Sequence, residues 1–274
     1  MLKQRVLTAI FLLALVLTAI FYFSPLWSAA FVALVIIIGA WEWSMLAGLK
    51  TVPLRLGYVA VVILAMYVCY QQQSTQRELL LIAACLWWVL AYFLIRRFPV
   101  ISNFWKSPLT LSIAGLLVLL PSWSSLLTLR ASEHHTGLIL LLLGMVAAAD
   151  IGAFFSGRAF GKYKLAPKVS PNKTWEGFAG GMICSSLTAF VVLYFAPTIA
   201  TLNAWLLLKI FAAALSVAIL SVVGDLYESM IKRQAGVKDS GTILPGHGGI
   251  LDRIDSITAA LPIFVLALGM VSLP

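Results

Sequence analysis

Ten acidic residues occur in this 274-residue chain, and seven fall after position 149: Asp150, Glu176, Asp225, Glu228, Asp239, Asp252 and Asp255. They lie beside long apolar runs. Ionisable groups at membrane depth cost about 2.5–3.5 kcal/mol each on insertion scales, so they persist where a metal, an opposite charge or a substrate compensates them. A helix through Asp225–Arg233 sets Asp225, Glu228, Ser229, Lys232 and Arg233 at i, i+3, i+4, i+7 and i+8, on one face. Two carboxylates followed by two cations, two turns further out, is the order a metal–nucleotide site needs. Carboxylates hold Mg²⁺, and cations reach the phosphate oxygens that the metal leaves unpaired. The same spacing also describes a helix end laced with i,i+4 salt bridges.

Lys238-Asp239 follows, then Pro245-Gly246-His247-Gly248-Gly249 and Leu251-Asp252-Arg253-Ile254-Asp255. Glycines around His247 free the backbone for positive φ and close approach, and successive N–H groups there can form an anion-binding nest. Asp252 and Asp255 sit at i, i+3 at a helix start, where the helix dipole alone would also favour them. His247 is readable as a substrate contact or as a plain loop histidine. A second polar segment carries Arg158, Lys162, Lys164, Lys168 and Lys173, with Ser170-Pro171-Asn172-Lys173-Thr174 as a compact turn before Glu176. A helix N-terminus flanked by Lys173 and a hydroxyl is a ready phosphate site, although basic loops also follow from membrane topology alone. Asp150, a turn or two inside its apolar run, needs a metal or one of these cations. Glu42, between Trp41 and Trp43, reads as a structural partner for a cation. His134 and His135 read as solvated loop residues.

The elements that must position these groups are membrane helices. The chain is 62% hydrophobic and 11% charged, with mean hydropathy +1.01, against about 25% charged residues in a soluble domain. Such a chain cannot cover itself with polar surface, so the bilayer must be its solvent. The expected class is an all-α integral membrane protein with about nine spans, near 6–23, 27–47, 55–71, 78–95, 108–129, 137–156, 176–196, 203–224 and 256–273. The breaks are Ser24-Pro25, Gly48 to Pro53, Gln71 to Arg77, Arg96 to Pro108 and Arg130 to Thr136. Pro121 lies inside the fifth span. Met1 to Ile20 resembles a signal peptide but lacks a small-x-small cleavage site, so it reads as an uncleaved first span. With the N-terminus in the cytoplasm, nine alternating spans put 16 of the 19 basic residues on the cytoplasmic side. Arg77 and Arg130 fall outside, and Lys209 lies near the start of span eight. That asymmetry follows the positive-inside rule. Two long polar loops, Gly157 to Trp175 and Tyr227 to Asp255, then face the cytoplasm. The chain divides into residues 1–135, about five spans, and residues 136–274, about four spans with both loops and a cytoplasm-facing polar cavity. The net charge of +9 thus reads as topology and phosphate binding rather than nucleic-acid binding. Cys69, Cys85 and Cys184 form no CxxC pair and read as apolar packing residues.

The run Ser229-x-x-Lys232-Arg233, Lys238-Asp239, then Leu244-Pro245-Gly246-His247-Gly248-Gly249-Ile250-x-Asp252-Arg253-Ile254-Asp255 resembles the signature of the phosphatidate cytidylyltransferases, the CDP-diacylglycerol synthases of bacterial type. Lys168-x-Ser170-Pro171-x-Lys173-Thr174-x-Glu176-Gly177 is similar to a second region of that family. The resemblance implies a transferase of phospholipid biosynthesis in the bacterial cytoplasmic (inner) membrane. A phosphatidic acid oxygen attacks the α-phosphorus of CTP, CDP-diacylglycerol forms and pyrophosphate leaves. It implies Mg²⁺, with room for a second cation, and allows a homodimer. On this reading Asp225 and Asp252 lead as metal ligands, followed by Asp239 and Asp255. Lys232, Arg233, Lys238 and Arg253 neutralise the triphosphate. Lys168, Ser170, Asn172, Lys173 and Thr174 hold a phosphate of lipid or nucleotide, with Ser229, His247, Gly248 and Gly249 also at the substrate. The DG-and-AR pattern of CDP-alcohol transferases is missing. An ion-coupled transporter is disfavoured because the charge is confined to one half and one face.

Overall fold

The computed structural model describes residues 2–100, 106–195 and 204–271. Among these, nine helices account for most of the chain: α1 Leu2–Phe21, α2 Pro25–Leu46, α3 Val52–Gln71, α4 Ser74–Arg97, α5 Pro108–Ala131, α6 His135–Phe160, α7 Trp175–Tyr194, α8 Ala204–Gln234 and α9 Leu251–Val271. Eight of them, α1 to α8, are long and apolar enough to cross a membrane. Each expected span overlaps one helix. The expected bounds at 196, 203 and 273, and part of the Arg96 to Pro108 break, lie outside the described residues.

Helix starts follow local chemistry. Ser24-Pro25 and Ser107-Pro108 place proline at the first helical turn, where its missing N–H costs nothing. α4 begins four residues before the expected span because Gln76 Oε1 accepts the Gln73 N–H at 3.2 Å, capping the helix inside a segment that reads as a break. α5 runs unbroken through Pro121, and the neighbouring Ser122 hydroxyl lies 2.7 Å from the Val118 carbonyl and 3.1 Å from that of Thr258 on α9.

An all-α chain was the expectation; the structure adds one β-ribbon. β1 Lys164–Ala166 pairs antiparallel with β2 Ser170–Thr174, so the segment expected to form a compact turn is an extended strand. Periodicity over three to five residues is too short to reveal it. Glu176 secures the ribbon's base by accepting from the Tyr163 N–H at 3.2 Å.

One core draws on both halves of the chain. Trp43, Trp88, Leu119, Val169, Tyr227 and Leu251 are buried in it together, and Trp43, Trp87 and Trp88 enclose the Tyr227 ring. Indole N–H groups tie helices through carbonyls, Trp43 to Leu111 at 2.7 Å and Trp123 to Met66 at 3.1 Å. The tightest approaches involve α6 with α7 and α8 with α9. A Cβ on Gly152 would stand 2.8 Å from the Gly180 carbonyl, and one on Gly181 2.7 Å from that of Ala149. Small residues that let backbones close in this way are a membrane-helix device. Here they bring Asp150 on α6 to the start of α7, where Lys173 stands.

Candidate active site

α8 is 31 residues long, about 46 Å at 1.5 Å per residue, against a hydrocarbon core of about 30 Å. It continues ten residues past the expected span end at 224, to Gln234, so the helical face considered for Asp225–Arg233 exists. Asp225 lies nine residues before the end of α8, about 14 Å along it, and Asp255 lies on the first turns of α9. Gly224 allows the two helices to cross there. A Cβ at that position would be 2.5 Å from the Asp255 carbonyl and 2.8 Å from Ala259 Cβ.

Two lysines reach this crossing, one from β2 and one from α8 itself. Lys173, on β2, forms an ion pair with Asp225, whose other oxygen accepts from the Ser229 hydroxyl at 3.3 Å. Lys232, buried on α8, pairs with Asp252 and lies 3.1 Å from Glu228. Asp255 feels both lysines and Asp225, while Asp150 feels Lys173 and Asp225. The result is one electrostatic network of five carboxyl groups and two ammonium groups. Asp150 lies within electrostatic reach of Lys173, whose ion pair is with Asp225.

Asp252 also organises the loop before α9. Its Oδ2 accepts from the backbone N–H of Ser240 at 2.8 Å and of Gly249 at 2.9 Å, and from the Ser240 hydroxyl at 3.0 Å. Glu42 completes that loop from α2. It is fully buried, and it accepts from the Ile250 N–H at 2.9 Å, the Leu251 N–H at 2.8 Å and the Ser240 hydroxyl at 2.9 Å. Glu42 is therefore structural, as expected, but its partners are the orphan amides of the α9 N-terminus and not a cation.

The glycines perform as their types suggest. Gly246 and Gly248 have φ of +76° and +78°, and a Cβ on Gly248 would stand 2.5 Å from Asp252 Oδ2. Gly249 lacks the positive φ, but a Cβ there would stand 2.4 Å from Glu42 Oε2. A polar cleft of about 530 Å³ opens beside this loop, lined by Arg5, Lys238, Asp239, His247, Gly248 and Arg253 among others. His247 Nδ1 is sheltered from solvent and has no hydrogen-bond partner. Gly248 lines the cleft, and a Cβ there would also stand 3.3 Å from Asp239 Cβ, so the cleft adjoins the Asp252 end of the network. Arg5 is a cleft residue that sequence spacing did not single out. α1 reaches the loop because the Thr8 hydroxyl donates to the Pro245 carbonyl at 3.0 Å, and the Arg5 stem lies against Gly246.

Some expected residues stand apart from both groups. Arg233 is exposed and donates to the Val237 carbonyl at 3.3 Å, fastening its own helix end. Lys168 and Asn172 are exposed, Lys168 on the ribbon turn and Asn172 on β2; Ser170 begins β2. Thr174 is buried, and its hydroxyl caps α7 by accepting the Gly177 N–H at 3.1 Å.

The donor set suits a hard divalent cation. Among the described residues no three Asp, Glu, His or Cys side chains form a ready cage. Mg²⁺ does not need one, since it usually takes one or two carboxylates, with water and substrate phosphate completing its shell. An excess of carboxyl over ammonium groups at one helix crossing meets that requirement.

Residues 3–271 match the model of the Cytidylyltransferase family. The chain is 45% identical over 268 residues to a phosphatidate cytidylyltransferase of Pseudomonas aeruginosa, covering 98% of this chain and 97% of that one. It is 46% identical over 283 residues to the one of Haemophilus influenzae, covering 96% and 97%. A Staphylococcus haemolyticus phosphatidate cytidylyltransferase is 50% identical over 130 residues, 47% of this chain and 48% of its own.

Proposed function

This chain belongs to the cytidylyltransferase family, and on that premise we propose how its own residues carry the reaction. It transfers the cytidylyl group of CTP to phosphatidic acid, giving CDP-diacylglycerol and pyrophosphate for phospholipid synthesis. One substrate is a lipid, which accounts for a reaction centre between membrane helices. The other is a nucleotide, which asks for an opening to water.

The observation that carries the residue assignment is the network at the α8–α9 crossing, with more carboxyl than ammonium groups and an adjoining basic cleft. Transfer at phosphorus needs little covalent help from protein. It needs the attacking and leaving oxygens held in line and their developing charge neutralised. Asp225 and Asp252, joined by Asp255, would hold Mg²⁺. Bound there, it would offset the negative charge on the oxygens around the phosphorus under attack and on the leaving pyrophosphate. Lys173 and Lys232 stand on those carboxylates and are within reach to move onto phosphate oxygen when substrate arrives. Lys238, Arg253 and Arg5 line the cleft where a triphosphate tail and the departing pyrophosphate fit by charge. His247 and the Gly248 backbone face the same space. Lys168, Asn172 and Arg233, being exposed, are assigned to the approach of anionic substrate rather than to contact at the reacting phosphorus.

We infer that this end of the bundle faces the cytoplasm, in the inner membrane of a bacterium with the N-terminus on the same side, a reading supported by the bias of basic residues in the sequence. CTP is supplied there. The test uses purified protein in detergent with α-labelled CTP. Label should enter a lipid only when phosphatidic acid and Mg²⁺ are both present, with one pyrophosphate released per lipid formed. Label incorporation that does not depend on phosphatidic acid would overturn the acceptor assignment.

A further inference from the structure

At the end of the bundle opposite the carboxylate network, Arg130 sits in the last turn of α5. α5 begins beside Gly48, just past the end of α2 that carries Glu42, and its 24 residues put Arg130 about 33 Å away along the helix. Its Nη2 donates to the Phe23 carbonyl in the α1–α2 turn. Its Nε and Nη1 are shielded from solvent and have no hydrogen-bond partner. A guanidinium has five N–H donors and cannot shed its charge, so a sheltered one with idle donors demands an anion.

The same side chain lines a cavity of about 200 Å³ that is otherwise almost wholly apolar, with Val16 of α1, Ala29 and Val32 of α2, Leu126 of α5 and Ile139 of α6 among its walls. Water does not settle in such a space. α1 forms the bilayer side of the cavity, and only Ala19 and Ile20 of its described side chains are buried, so one loosely seated helix separates the cavity from lipid.

We propose that this cavity binds one chain of a phospholipid whose phosphate rests on the Arg130 guanidinium. A single ligand of that chemistry answers both observations, which a free anion or an alkane each answers only in part. The lipid is not the substrate, because the reaction network is at the other end of the helices. That exclusion rests on the site proposed above, whereas the binding of the lipid does not.

Native mass spectrometry of the full chain in detergent with added dioleoylphosphatidylglycerol tests it. Wild-type protein and Asp225→Asn should hold one tightly bound lipid. Arg130→Gln and Ala29→Phe, which narrows the cavity, should each weaken it by roughly tenfold or more. Dioleoylglycerol, with no phosphate, should bind as weakly as the variants do, and inorganic phosphate should not displace the lipid. Where Arg130→Gln does not yield folded protein, Ala29→Phe carries the same comparison with the guanidinium intact. Wild-type retention by either folded variant, equal binding of dioleoylglycerol, or displacement by inorganic phosphate overturns the proposal.

Discussion

Asp252 and Glu42 divide one task, and the division governs what substitution should do. Asp252 gives one oxygen to Lys232 and the other to the amides of Ser240 and Gly249; Glu42 takes the next two amides, of Ile250 and Leu251. Both oxygens of Glu42 accept, so Glu42→Gln would turn an N–H₂ group against a backbone N–H. We expect a loss of about 1–3 kcal/mol, the cost of a buried unsatisfied donor, seen as a lower unfolding midpoint in detergent, together with reduced turnover. An unchanged midpoint would remove Glu42 from the loop's support. Lys232→Met leaves Glu228 and Asp252 without their cation in a buried setting and should cost about 3–5 kcal/mol, read by the same measurement. Asp225→Asn should instead spare the fold, because Lys173 is partly exposed and finds water, while lowering turnover by at least about 100-fold. Near-normal turnover in both Asp225→Asn and Asp252→Asn would remove the proposed metal site. Of these residues, Asp225, Lys232 and Asp252 are legible from type and spacing. The structural role of Glu42 is legible too, but its partners are not, since nothing local joins it to groups about two hundred positions away in sequence.

At the scale of elements, helix periodicity and apolar length locate nearly everything, because each span must satisfy its own backbone in lipid. What they miss is short or polar: the Lys164–Thr174 ribbon and the capped start of α4. The ribbon matters because it delivers Lys173 to Asp225, a contact between segments that reads in sequence only as a basic loop and a helix end. The crossing of α8 and α9 matters more. Gly224→Ala puts a methyl group into the Asp255 carbonyl. Overpacking of this kind costs about 1–3 kcal/mol, and the relief available is separation of the two helices that carry Asp225 and Asp255. Turnover should therefore fall well beyond what the stability loss explains, with the protein still folded at assay temperature. Equal losses in both would mean that the crossing merely packs.

For the whole molecule, orientation is the property on which the proposed chemistry rests, and it is read from charge rather than from any contact. The basic residues that line the cleft come from α1 (Arg5), from the loop between α8 and α9 (Lys238) and from the first turn of α9 (Arg253), and they meet at one end of the bundle. Arg130 and the α5–α6 turn lie at the other. A bilayer fixes which end is which through the cost of moving basic loops across it. Native Cys69, Cys85 and Cys184 all lie within helices, so a cysteine-free background is a modest change. Two single cysteines then decide the matter: Glu133→Cys in the α5–α6 turn and Val237→Cys in the α8–α9 loop, both exposed positions. In cells with the inner membrane intact, a membrane-impermeant maleimide admitted to the periplasm should label the first and spare the second. After the inner membrane is permeabilised, both should react. The reverse pattern would set the cleft on the wrong side for CTP, and with it the assignment of Lys238 and Arg253 to the triphosphate.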